Sequence, residues 1–371
     1  MNNKNNVKIA FLGLNGLPPR YGGLQFDADC IGEYLVLQGF EIIVFCNKWY
    51  QLDPNQTSYK SMTLKVINTS NPKSFFGILY FNLSCGLYLI KNRIKIAYLF
   101  SEFSYAIIPL LRLFNIKTII RRAGEANTSG VFTNFIILIC ELIGYYFSNY
   151  ITTETIIEKN HALKYTKKEI IITPVVISPK IKLEPKLIID NLNLQKNGYI
   201  LYIGRFTEGK RIDWLINSFI NISIKHNLKL VIAGDSSDKN YVNYLKSLSD
   251  DSRIIFTGYV NGDLKEELIS NCFCMVLPSR SEGMSTAVAE ALSFGKLCVL
   301  SDIPVHKWII DDPEMGLLFN HNNQKDLTLK LSNLINGQYS YNEDSIMKNC
   351  AKRFNVDIIM QNILHIINKM L

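Results

Sequence analysis

Phe273-Cys-Met-Val-Leu-Pro278 runs into Ser279-Arg-Ser-Glu282-Gly283-Met284-Ser285, then Thr286-Ala-Val-Ala-Glu290-Ala-Leu-Ser-Phe294, Gly295 and Leu297-Cys-Val-Leu-Ser301-Asp302. This reads as strand, polar loop, helix, glycine stop and strand. Residues 273 to 277 are continuously apolar, as a strand buried on both faces should be. Pro278 ends it, having no N–H to give a ladder. Ser285 or Thr286 can cap the helix, and Gly295 suits its C′ position.

In such a unit the loop lies at the carboxyl edge of a parallel sheet, where open α/β folds bind ligands. The backbone N–H groups of Gly283, Met284, Ser285 and Thr286 point out of the helix start and favour an anion. A carboxylate repels a phosphate, so Glu282 and Glu290 suit hydroxyl groups instead. Charge-assisted hydrogen bonds of that kind contribute roughly 1.5–3 kcal/mol each. An anion seat between two hydroxyl-reading carboxylates is what a nucleoside-diphosphate sugar needs.

Pro-Ser-Arg-Ser-Glu282-Gly, with Glu290-Ala eight residues later, resembles the signature of the family 4 retaining glycosyltransferases. The resemblance implies an α/β chain with the GT-B fold: two Rossmann-like domains facing across a cleft, and a C-terminal helix crossing back to the first. It also implies transfer of a sugar from a nucleotide-diphosphate donor to a hydroxyl. The bland reading of the same residues is one exposed Glu and one helix-surface Glu.

The totals agree with a large globular chain. There are 371 residues, 48% of them apolar, which suffices for two or three domains with sizeable cores. The eight Cys are scattered without a CxxC pair, so reduced thiols and no metal site are expected. The polar start Met1-Asn-Asn-Lys leads directly into a strand, and no signal peptide is expected. A net charge of +8 suits anionic lipid or phosphate substrates. Nucleic acid is not an expected partner, since no helix-turn-helix, RNP or zinc-finger pattern occurs.

Along the chain, Val7 to Gly13 reads as a first strand, followed by a loop rich in Gly and Pro, a helix over 24–38 and a strand over Glu41 to Cys46. Gly22 and Gly23 would let backbone approach a ligand closely. Tyr21-Gly22-Gly23 resembles one subgroup of these transferases, rich in rhamnosyltransferases of surface-polysaccharide assembly, and there the loop faces the diphosphate and the acceptor. Asp27-Ala-Asp29 formally matches a metal motif of the other glycosyltransferase fold, but it falls inside a helix here and is discounted.

Phe75 to Leu89 mixes aromatic and aliphatic residues, and Lys91, Arg93 and Lys95 follow. An amphipathic helix on a membrane interface fits this, and so does a buried helix before a basic loop. Arg121-Arg122-Ala-Gly124-Glu125 ends a strand, and the subgroup has an acceptor-side run in this place. Arg122 and Glu125 are therefore acceptor-side candidates. Val131 to Ser148 is the longest apolar stretch, but Glu141 near its middle argues against a membrane span and for a helix on the first sheet. His161 reads as a surface residue.

Residues 178–198 read as the linker between a first domain at 1–177, completed by a crossover helix at 346–371, and a donor-binding domain at 199–345. That domain opens on Tyr199-Ile-Leu-Tyr-Ile-Gly204-Arg205-Phe-Thr-Glu-Gly-Lys210. A strand ending in Gly204 presents two cations five residues apart, a guanidinium fork and a point charge for phosphate oxygens. By resemblance Arg205 and Lys210 grip the donor diphosphate, Glu282 orients the sugar, Glu290 holds the ribose, and Tyr259 and Val260 neighbour the base.

No metal or cofactor is called for by this arrangement. The expected partners are a nucleotide-sugar donor, with dTDP-rhamnose suggested by the subgroup, and a glycan or lipid-linked acceptor. The expected location is the cytoplasm, at the inner face of the plasma membrane if 75–95 touches lipid. A GT-B sugar-nucleotide epimerase, with His161 or Glu125 moving the proton, and an inactive binding relative are the alternatives.

Overall fold

The structure is a computed structural model, and it describes residues 7–20, 23–51, 53, 55–69, 71, 74–124, 130–177, 180–222 and 228–371. The chain forms two compact units. One comprises Met1–Val176 with Val356–Leu371, the other Ile177–Asn355.

The first unit is built on β1 (Lys8–Leu12), β2 (Glu41–Asn47), β3 (Ser58–Tyr59), β4 (Met62–Ile67), β5 (Ile96–Leu99), β6 (Lys117–Arg122), β7 (Tyr150–Thr153) and β8 (Ile170–Ile172). The sheet order is β3-β4-β2-β1-β5-β6-β7-β8, parallel except for β3 against β4. Strands therefore run outward from β1 in both directions, and the order reverses between β1 and β5. Crevices at the carboxyl ends of such a reversal bind ligands in doubly wound folds. Gly13 ends β1 with φ +81°, and a Cβ there would stand 2.7 Å from the Ser101 backbone nitrogen. The loops after β1 and β5 can lie this close only because position 13 is glycine.

Alternation along β1 sends Ile9 and Phe11 to one face of the sheet and Ala10 and Leu12 to the other. Helix α1 (Gly23–Leu37) covers the first face. Helices α2 (Phe75–Lys91), α3 (Ile108–Leu113), α4 (Val131–Phe147) and α5 (Ile156–Ala162) contribute to the second. In α2, Phe81, Cys85 and Leu89 enter the core, while Phe76, Tyr80 and Leu87 on its other side are exposed.

The last helix does return to the first unit. In α14 (Val356–Met370), Ile359, Met360, Ile363, Ile366, Ile367 and Met370 join the α1 side of the core, and Lys117 Nζ donates to the Met370 carbonyl. The return starts at 356, ten residues later than expected. The preceding helix α13 (Glu343–Arg353) stays in the second unit, with Cys350 Sγ against the Ala289 carbonyl.

The second unit has α6 (Leu187–Leu192), β9 (Tyr199–Ile203), α7 (Ile212–Asn221), β10 (Lys229–Ala233), α8 (Lys239–Ser247), β11 (Ile254–Gly258), α9 (Gly262–Asn271), β12 (Cys274–Leu277), α10 (Thr286–Ser293), β13 (Cys298–Ser301), α11 (Pro304–Ile309), β14 (Gly316–Phe319) and α12 (Gln324–Ile335). Its sheet is wholly parallel in the order β11-β10-β9-β12-β13-β14, which reverses between β9 and β12. The segment expected as a linker is part of this unit. Lys186 N and Ile188 N donate to Glu267 Oε2 at 3.0 and 3.1 Å, and Leu183 N donates to Ser270 Oγ at 2.9 Å. Ser178 and Pro179, also in that segment, lie outside the described residues. No helix among the described residues is long and apolar enough to cross a membrane.

Candidate functional site

The reversal between β9 and β12 puts two loops side by side at the carboxyl edge of the second sheet. After β9 come Gly204 and Arg205, then Phe206, buried against the core, and a short turn over Glu208–Lys210. Gly234, after β10, has φ +143°, and a Cβ on it would meet the Gly204 carbonyl oxygen at 1.9 Å. Glycine at 234 is thus the condition for this loop to close over the strand end. Arg211 follows in the left-handed region at φ 50°, donates to the His321 carbonyl, and stacks 4.2 Å over Trp214. It pins the turn that carries Lys210.

The loop after β12 is tied to that turn. Arg280 N donates to the Gly209 carbonyl at 2.7 Å, and Lys210 Nζ lies 2.5 Å from both carboxylate oxygens of Glu282. Both expected charges are therefore in one place, but as partners. Lys210 is not a bare cation waiting for phosphate. An ammonium has three donors, so one remains for a ligand oxygen while two hold Glu282. Arg205 differs: its side chain is exposed and has no acidic partner within salt-bridge distance among the described residues.

The same loop is held from beneath. Ser301 Oγ, at the end of β13, donates to the buried Ser279 carbonyl at 2.6 Å. His306 Nδ1 lies 2.9 Å from the Ser301 carbonyl, which fixes the proton on Nδ1 and leaves Nε2 as a buried acceptor without a partner. Burial pushes His306 down to about 4, with the nearby Glu282 charge pulling the other way. A neutral His306 beside Glu282 and Lys210 leaves their charges balanced. Further along, against an upward pull from burial, His321 and Lys307 hold Asp302 down to about 2.

Gly283, Met284 and Ser285 lead into α10, with Met284 buried. Ser285 takes the N-cap position in extended conformation, but its side chain makes no capping bond. The expected hydroxyl cap is absent, and the first N–H groups of α10 have no such internal competitor for an anion. One turn on, Glu290 Oε1 accepts from Lys265 Nζ of α9 at 2.7 Å, and Glu290 Oε2 is buried without a partner. Tyr259 and Val260 occupy the turn between β11 and α9, the first half-exposed and the second buried.

On the first unit, the structure does not leave Arg122 free for an acceptor. Its Nε donates to Glu141 Oε1 at 2.9 Å, and both side chains are buried. His161 Nε2 stands 3.5 Å from the other oxygen of Glu141. Asp27 and Asp29 lie in α1, one paired with Arg121 and the other with Lys60. Among the described residues no three His, Cys, Asp or Glu are placed to share a metal. Gly23 opens α1. Tyr21, Gly22 and Glu125 lie outside the described residues.

Known proteins agree with this architecture. The chain aligns over 98% of its length with Anabaena HepE solved in complex with UDP and glucose, covering 100% of that chain at 13% identity and a TM-score of 0.81. The fold is GT-B. Residues 185–354 match the family described as glycosyl transferases group 1. An uncharacterized glycosyltransferase of Methanocaldococcus jannaschii is 35% identical over 28% of this chain and 27% of its own length. The N,N'-diacetylbacillosaminyl-diphospho-undecaprenol alpha-1,3-N-acetylgalactosaminyltransferase of Campylobacter jejuni is 28% identical over 49% of this chain and 47% of its own. The matches thus span less than half of either relative.

Two residues of the site escaped the sequence reading. Lys265 had one available signal, an isolated cation in the first turns of the helix after Tyr259-Val260. Arg280 had none, since what it contributes to the loop is its backbone N–H.

Proposed function

We propose that this chain is a retaining glycosyltransferase that moves a sugar from a nucleoside-diphosphate donor to a hydroxyl of a glycan or lipid-linked oligosaccharide in surface-polysaccharide assembly. The observation that carries the reading is the Lys210–Glu282 pair. It joins the loops of the β9/β12 reversal beside an uncapped helix start, with the exposed Arg205 on the same strand end.

In this reading Arg205, the remaining donor of Lys210 and the N–H groups at Gly283 to Thr286 stabilise charge developing on the departing diphosphate. They supply what a metal supplies in other transferases. Glu282, held by Lys210, accepts from a sugar hydroxyl and orients the donor. Glu290 exchanges Lys265 for the ribose hydroxyls, and its unpartnered Oε2 is a ready acceptor. Tyr259 and Val260 flank the base.

The donor's identity follows from trial. UDP-glucose is suggested by the UDP and glucose of the structural neighbour, and dTDP-rhamnose by Tyr21-Gly22-Gly23. A diphosphate-lipid acceptor is suggested by the Campylobacter relative's name and by the exposed aromatic residues of 75–95. The deciding experiment is a thermal-shift screen of nucleotide sugars, followed by nucleoside-diphosphate release with and without a lipid-linked glycan. A donor that raises Tm and releases diphosphate only with acceptor is the expected result. Release without acceptor, or no binding by any donor, rules the reading out.

A further inference from the structure

Three neighbouring helices of the first unit, α2, α3 and α4, are apolar on their outer as well as their inner sides. Along α4, the inner side buries Ile137, Cys140, Gly144 and Tyr145. The outer side carries Phe132, Phe135, Ile139, Leu142 and Tyr146 at steps of three and four, all exposed. On α2 the outer stripe is Phe76, Tyr80, Leu83 and Leu87, with Phe76 78% exposed. Leu113, 80% exposed, ends α3, which packs against both. A helix apolar all round belongs in a core or in lipid, and no described segment of this unit covers these stripes.

Exposed charge along this face is predominantly positive. Between Phe75 and Ile170 the described acids are Glu102, Glu141, Glu154, Glu158 and Glu169, and only Glu169 is exposed. Over the same span Lys91, Arg93, Lys95, Arg112, Lys164 and Lys167 are exposed. These cations sit in the last turns of α2 and α3 and in the loops that lead from α2 and α5 into β5 and β8. In a parallel sheet these helix ends and loops share the amino edge, so the cations form a rim along one end of the apolar stripes. Lys168 marks the same end, donating to the Tyr146 and Ser148 carbonyls where α4 stops.

We propose that the α2–α3–α4 face docks the first unit on an anionic phospholipid bilayer, with the aromatic stripes entering the headgroup region and the Lys and Arg rim on lipid phosphates. Aromatic and aliphatic side chains beside cations are what an interfacial surface needs. A second copy of this chain is the poorer occupant, because it would bring a second face of the same positive excess and no anionic groups to pair with the cations. The docking would bring the protein to lipid-linked acceptors. It deepens the transferase reading, but its test uses neither donor nor acceptor.

Flotation of the full chain with vesicles tests it, using phosphatidylcholine alone and phosphatidylcholine with three parts in ten phosphatidylglycerol. Binding is expected to the anionic vesicles and to weaken in high salt. Neutralising one cation should lower the partition coefficient roughly fivefold, so Lys91→Gln, Arg93→Gln and Lys95→Gln together should lower it about a hundredfold. Phe76→Ser, Tyr80→Ser and Phe132→Ser together should lower it more than tenfold, with Tm and circular dichroism unchanged because the positions are exposed. Three results overturn the proposal. The wild type stays unbound, the variants bind as well as wild type, or light scattering shows a dimer that these substitutions break while vesicles are ignored. Nucleoside-diphosphate release assayed on a water-soluble acceptor stands or falls separately.

Discussion

Lys210 and Glu282, seventy-two residues apart, meet with the ammonium nitrogen 2.5 Å from both carboxylate oxygens. Glu282 is nearly buried, so the pair fixes the loop after β12 onto the turn after β9. Removing Lys210 takes away a phosphate-facing donor and the partner of Glu282 together. Lys210→Ala is expected to lower kcat about 10²–10³-fold, the range for loss of one preorganised charge-stabilising donor. Lys210→Arg should recover only part, since a planar fork does not reproduce a point charge. Steady-state release of nucleoside diphosphate measures both, and an unchanged kcat in Lys210→Ala would remove this pair from the mechanism.

Glu290 shares a single hydrogen bond with Lys265 and keeps one oxygen free. If that carboxylate reads ribose hydroxyls, Glu290→Gln should weaken nucleotide-sugar binding about 10–100-fold, the worth of one or two charge-assisted bonds. Lys265→Met removes a competitor of the ribose and should change affinity by less than about fivefold. Calorimetric titration of the two variants separates the roles. Equal losses in both would mean that the ion pair is a structural strut.

His306 gives the second unit a pH dependence. Its folded-state value, about 4, lies below the ordinary 6.5 because burial opposes the charged form. Between these values the unfolded chain binds the extra proton. Stability is therefore complete above pH 6.5 and declines as pH falls toward 4, by at most about 3 kcal/mol. His306→Asn preserves a donor for the Ser301 carbonyl and cannot titrate. It should flatten this part of the urea-denaturation profile, and a profile identical to wild type would exclude His306 as the source.

Much of the second unit could be read from the sequence because its information is local. Gly204-Arg205, the Leu-Pro-Ser strand exit and the helix stopped by Gly295 each announce themselves within ten residues. What could not be read depends on how distant elements rotate against each other. Arg122 lies where an acceptor-side residue was expected, yet the turn of α4 brings Glu141 onto it, and sequence spacing says nothing of that. Residues 178–198 lack periodicity because α6 is barely two turns long and is held by Glu267 through backbone N–H groups. The amphipathic pattern from 343 to 370 spans both units, and only the break after Arg353 assigns α13 to one and α14 to the other.

The first unit encloses an ion pair between Arg121 of β6 and Asp27 of α1, both fully buried. Arg121 also donates to Thr173 Oγ1 at 2.6 Å and to the Thr173 carbonyl at 2.9 Å, so it ties a helix, a strand and the segment after β8. Burial pushes the Asp27 carboxyl up to about 6 even against the pull of the guanidinium. Arg121→Met leaves that carboxylate without its cation and should destabilise the unit by about 3–5 kcal/mol at pH 7. With the cation gone, Asp27 titrates still higher. The folded variant then takes up a proton at a pH where wild-type Asp27 is still charged, and the deficit should shrink as pH falls from 7 to about 6, below which wild-type Asp27 takes up the same proton. Adding Asp27→Leu should restore most of the loss and abolish the pH effect, since an apolar pair needs no compensation. Chemical denaturation of the two variants at pH 7 and pH 5 checks this. If the double variant were no more stable than Arg121→Met alone, the loss would come from the Thr173 bonds and not from a stranded charge.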